Sequence, residues 1–268
     1  MASTYAHYRF GRAVYEKLPR QIQEQIKKEE ALYLIGLHGP DILFYYQPLS
    51  KNPVNRCGYG MHDYTGRAVF TDMYGRRCHL QGAEQEAVQA YIYGFICHFA
   101  LDRNVHPFIE QWEQQTGLSH AEIEVEFDRA LMVQDGLNPV RQRLTNHIST
   151  DLRTATVIQC IFSEFSVETV QKALSSMRFY NDLLVAPNPL KRGAIKGLLL
   201  LSGKFKTMAG LMVNYRPNPK CRASNDQLLE LYQQSVDLAV TLITEMDAAF
   251  VSGALTLNKA YNHTFGTV

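Results

Sequence analysis

Little in this sequence speaks for disulfides or thiolate metal sites. Its five cysteines, Cys57, Cys78, Cys97, Cys160 and Cys221, are odd in number, widely spaced and without a C-x-x-C pair. A disulfide framework is therefore not expected, and a reducing, cytoplasmic setting is. Any zinc would have to be held by imidazole and carboxylate. An excess of one charge is lacking too. A formal net charge of +1 excludes general coating of nucleic acid, so no stable nucleic-acid partner is expected. No uninterrupted apolar run is long enough to span a bilayer. Residues Met1 to Arg9 lack the apolar core of a secretion leader. Internal repeats, low-complexity segments and apolar–polar alternation are absent or scarce.

What is present is helical periodicity. With 268 residues and 46% apolar composition, the chain can bury a large core. Apolar residues recur at helical spacing over 11–35 (interrupted at Leu18-Pro19), 83–106, 119–134, 149–160, 163–185 and 225–252. The expected fold is an all-α, single-domain helical bundle. Residues 47–82, with Pro48, Pro53, Gly58, Gly60, Gly66 and Gly75, read as a long loop region of the kind that often carries function. No linker divides the chain. One domain over 1–268 is expected, with the chemistry-bearing residues in 1–135 and a helical remainder in 136–268.

The clearest chemical signal is His98-x3-Asp102-x3-His106. On a helix the three residues share one face, one turn above another. Their neighbours are mostly apolar, so the helix should be buried. Three ionisable groups on its face are then costly without a compensating charge. A divalent cation supplies that charge, and His and Asp are suitable ligands. Pro107 disfavours helical geometry at His106, which places His106 at the helix end and lets its ring turn to a different ion. Beyond it, Ser119 and Glu122 have capping-box spacing, and His120 and Glu124 lie one turn apart on a common face.

At these residues the chain resembles the zinc-dependent phospholipase C family and, more distantly, the fungal single-strand nucleases of the same superfamily. The resemblance covers about the first 130 residues and implies a mostly helical fold around a cleft with two or three zinc ions. The family's ligand order is matched by His7, Asp41, His62, His98, Asp102, His106, His120 and Glu124. The resemblance further implies that Asp41, His62, His98 and Asp102 hold one ion. Asp102 would bridge to a second ion, held also by His7 and by the chain's amino terminus. That terminus would be Ala2 after removal of Met1, five residues before His7. His106, His120 and Glu124 would hold the third. The implied activity is hydrolysis of a phosphodiester, a phospholipid above all, with Asp41 also able to take the proton of the attacking water.

Other residues keep two readings. His38 could sit behind the ligands and donate to a carboxylate, or simply pair with backbone. Asp41, after Gly39-Pro40, could cap a helix instead of binding metal. His62-Asp63 could be the dyad of an HD-type phosphohydrolase. His79, His147 and His263 have no convincing partners. Tyr45, Tyr46, Tyr59, Tyr64 and Phe70 could line a head-group pocket or merely pack. Residues 187–222 lie in an interval without acid, from Asp182 to Asp226, holding Lys191, Arg192, Lys196, Lys204, Lys206, Arg216, Lys220 and Arg222 among apolar runs. They could touch a membrane surface peripherally or form a core helix with solvated flanks. A single-strand nuclease and a non-catalytic, metal-stabilised lipid- or partner-binding protein remain as alternatives.

Overall fold

The computed structural model describes residues 4–201 and 209–266. It is an all-α single domain, and no strand occurs among the described residues. The helices are α1 (Thr4–Lys17), α2 (Arg20–Lys28), α3 (Glu30–Gly36), α4 (Pro53–Met61), α5 (Gly66–Cys78), α6 (Gly82–Thr116), α7 (His120–Gln134), α8 (Leu152–Ile161), α9 (Val167–Leu184), α10 (Pro189–Leu201) and α11 (Arg222–Ser252). Short 3-10 helices occupy Gly39–Tyr45 and Ala209–Leu211.

α6 is the axis of the fold. Every residue from Ala87 to Asp102 is buried, as expected for a helix that is apolar all round. It packs against α1, α3, α5, α7, α8 and α11. α3 crosses it at two glycines. A Cβ on Gly94 would lie 2.1 Å from the Tyr33 carbonyl oxygen, and one on Gly36 would lie 2.3 Å from that of Tyr91. Only glycine permits this backbone approach. The crossing seats the 3-10 helix that follows α3 directly against α6.

The region 47–82 is not a long loop. α4 and α5 fill most of it. Its prolines and glycines mark helix ends more than breaks: Pro53 opens α4 behind the Asn52 cap, and Gly66 opens α5 behind the Thr65 cap. Pro107 is the opposite case, a proline that ends no helix. α6 continues through Pro107 to Thr116, so His106 is not at a helix end. Burial of Val105 and Ile109 on either side overrides the local preference, and the helix stops only at Gly117, which takes a positive φ of 69°.

Among the described residues of the basic interval, Arg192 does not join a charged face. Arg192 is buried, donates to the carbonyls of Ala186 and Val213, and stacks on Tyr215. Lys204 and Lys206 lie outside the described residues. Among the described residues no helix is long and apolar enough to cross a membrane.

Candidate metal centre

Three elements bring donors to α6. α1 carries His7, and its start is tied to α7: the backbone N–H groups of Tyr5 and Ala6 donate to Asp128 at 3.0 and 2.7 Å. A buried carboxylate at a helix N-terminus satisfies free donors and complements the dipole. The Gly39–Tyr45 turn carries Asp41. Gly39 has φ of 48°, and a Cβ there would meet the His98 ring at 2.3 Å, so glycine is required both for the turn and for the approach. α4 ends at His62, whose Nδ1 donates to the Gly58 carbonyl at 3.0 Å. That bond fixes the ring and leaves Nε2 to face inward.

Asp102 stands at the middle. Its Oδ1 lies 3.0 Å from His7 Nε2 and 3.6 Å from His106 Nε2. Its Oδ2 lies 3.0 Å from His98 Nε2 and 3.7 Å from His62 Nε2. His62 Nε2 is also 3.2 Å from Asp41 Oδ1. On the far side, Glu124 Oε1 is 3.5 Å from His106 Nε2 and 3.2 Å from His120 Nε2. The donors thus form three groups: His7, His98 and Asp102; Asp41, His62 and His98; and His106, His120 and Glu124. His106 groups with His120 and Glu124 and apart from His98, but it does so from within α6, with no helix end at Pro107.

Many of these atoms are buried without a hydrogen-bond partner. They include both oxygens of Asp41 and of Asp102, both ring nitrogens of His98, His106 Nε2 and Glu124 Oε2. Several sit about 3 Å from an opposite group, yet off the hydrogen-bond direction. Lone pairs aimed at shared points, in a buried set of imidazoles and carboxylates without thiolate, fit divalent first-row ions such as zinc. Left uncompensated, such groups would be expensive.

The electrostatics agree. Burial raises the Asp102 carboxyl, but His106, His98 and His7 outweigh it and hold it well below the usual carboxylate range. Burial likewise opposes the charged forms of Asp41 and Glu124, and neighbouring imidazoles lower both. Against its own burial, His62 is pushed up to about 9 by Asp41 and Asp102. His98 is lowered by burial, with His7 adding to the effect. The carboxylates therefore remain anionic.

His38 does not touch a carboxylate. Its Nε2 is 2.7 Å from His147 Nε2, and His147 stacks on Tyr8. Burial holds both imidazoles neutral, His147 at about 4. His147 therefore has a partner after all, and His38 is kept from the backbone role as well. Asp41 caps no helix with its side chain. Asp63 is exposed while His62 faces inward, so the HD pair does not act as one dyad. Ser119 caps α7, but Glu122 does not complete the box, and its side chain accepts from Asn218 instead. Ala2 lies outside the described residues.

The chain's end supplies residues that local spacing could not indicate. The Phe265 N–H donates to the His62 carbonyl at 3.3 Å, and its ring lies against those of His62 and His98. Gly266, with φ of 108°, packs so tightly that a Cβ would sit 2.3 Å from His106 Cβ. Asp128, by contrast, could have been suspected from its place one turn after Glu124 on α7.

Comparison with known proteins returns one family. The model of the family described as zinc dependent phospholipase C matches residues 6–180. The match runs beyond the first 130 residues, through α8 and into α9. Neither the comparison with curated proteins nor that with solved structures gives a match.

Proposed function

Since the chain belongs to the zinc-dependent phospholipase C family, we propose that this centre hydrolyses a phosphodiester bond, with a phospholipid as substrate. The observation that carries the reading is the convergence of buried, unpartnered Nε2 and carboxylate atoms on both sides of Asp102. His7, Asp41, His62, His98 and Asp102 would hold a pair of zinc ions, with Asp102 shared. His106, His120 and Glu124 would hold a third. Zinc, when bound, supplies a Lewis acid for the phosphoryl oxygens and lowers the pKa of water towards neutrality.

The chain's own residues do the rest. Asp41, kept anionic by His98 and His62, accepts a proton from the attacking water. The new bond joins water oxygen to phosphorus, the bond from phosphorus to the glycerol oxygen breaks, and the glycerol oxygen takes a proton from solvent while Asp41 returns its own. The products are diacylglycerol and a phosphorylated head group. His106, His120 and Glu124 form the second pole of the centre, where charge on the leaving oxygen is met. Tyr59 is exposed and stacks on Phe44 at 4.1 Å, near Asp41. It offers a face to a cationic head group.

The test is metal analysis of the purified protein with assays on phosphatidylcholine and on a chromogenic phosphodiester. Bound zinc and turnover are expected. His98→Ala is expected to lower turnover at least about a hundredfold, the scale of losing even an outer partner of a metal site. Full activity of that variant would overturn the proposal.

A further inference from the structure

α10 has two apolar faces and only one of them is covered. Ile195 and Leu199 pack on Ala186 and Met212 in a small cluster separate from the main core. On the opposite side Leu190, Ala194, Leu198 and Leu201 recur at intervals of four, four and three residues, which places them on one helical face. Leu190 is 81% exposed, Leu198 67% and Leu201 88%. Isolated exposed leucines need no explanation, but a helical row of them does.

The surroundings say what covers this row. Lys191 borders it, its ammonium donating to the Asp182 and Val185 carbonyls at 3.3 and 2.7 Å, and Lys196 is exposed further round the helix, beyond Leu200. No acidic residue occurs between Asp182 and Asp226. An apolar stripe in a lysine-bearing stretch without acid suits the boundary of a lipid layer, with the stripe among acyl chains and the Lys196 ammonium among phosphates. A second copy of the same face would set lysine against lysine, which is unfavourable. The position is also apt. The chain is next described at Ala209–Leu211, where Gly210 lies against Ser119 at the start of α7. The following residue is His120, the most exposed donor of the centre.

We propose that the Leu190–Leu198–Leu201 face of α10 is a docking surface for an anionic lipid layer. The inference rests on the proposed function only in making lipid the relevant surface. Its test therefore separates docking from catalysis. The full chain is floated with vesicles of phosphatidylcholine alone and of phosphatidylcholine mixed equally with phosphatidylglycerol. The wild type is expected to float with both, more strongly with the mixture. Leu190→Asp combined with Leu198→Asp should lower the bound fraction about tenfold or more. Lys196→Gln should weaken only the preference for the mixture. Both variants should keep wild-type turnover of a monomeric chromogenic phosphodiester, which shows them folded. Equal flotation of the aspartate variant and wild type would overturn the proposal. So would a wild type that does not float, or an aspartate variant whose main change is dissociation of a dimer in sedimentation velocity. Absence of turnover in the wild type would count against the proposed function and leave the flotation result standing.

Discussion

The α3–α6 crossing and the α10 layer spend apolar surface in opposite ways. At the crossing, Gly36 and Gly94 bring two backbones together, and every α6 residue from Ala87 to Asp102 is buried. Around α10, four residues make a separate core, and leucines stand in the open. The first region fixes the relative positions of Asp41 and His98. The second holds no donor of the centre. Rigidity is concentrated where three or more donors must converge, and a loosely seated helix is tolerated where only a surface is needed.

The comparison can be broken first at its centre. Asp102→Asn keeps the shape but removes the charge shared by four imidazoles. We expect loss of bound metal by elemental analysis and a fall in kcat/KM of at least about a hundredfold. An equally active, fully loaded variant would detach Asp102 from the function. Removing the metal with a chelator should next lower Tm, because the buried carboxylates lose their counter-charge. An unchanged melting curve would mean the imidazoles alone suffice.

The crossing comes next. Gly94→Ala places a methyl against the Tyr33 carbonyl and should cost about 1–3 kcal/mol or more. At about 2–4 °C per kcal/mol for a chain of this size, the melting shift is readily measured. A smaller, pH-dependent effect belongs to His147. Burial holds its folded pKa at about 4, against 6.5 when unperturbed. Between those values the unfolded chain binds more protons, so stability is full above 6.5 and declines as pH falls towards 4. The loss amounts to at most about 3 kcal/mol. Denaturant titrations of His147→Gln across that window should show a flatter slope. The smallest effect is expected in the outer layer: Leu199→Ala should cost less than the roughly 2–5 kcal/mol of a core leucine. Hydrogen exchange should quicken in α10 before it does in α6. Equal exchange in both would erase the distinction between the regions.

The helical class was readable because apolar residues recur at helical spacing and alternation is scarce. The eight side chains that the family resemblance singled out fall into three adjoining groups. Spacing alone marked His98, Asp102 and His106 and the His120–Glu124 pair, which are neighbours on helix faces, while His7, Asp41 and His62 came only from the resemblance. Glycine and proline were ambiguous. The same residues that break a helix also begin one, so the sequences of α4 and α5 read as loop, and Pro107 reads as a terminus, where the structure has helix. Contacts between distant parts of the chain left no local mark. Phe265 over His62 and His98, and His147 beside His38, depend on how helices are arranged in space.

The glycine crossing has one more consequence. Where two helices are spaced by side chains, the distance between them can be retuned by rotamer changes or by one methylene. Here the spacing is set by backbone against backbone. The separation of Asp41 from His98 is therefore gauged by the contact of two rigid backbones, and the entropy of ordering that edge is lost during folding. The protein meets its first ion with that pair already in place, and loading it should be limited by dehydration of the ion more than by movement of the chain.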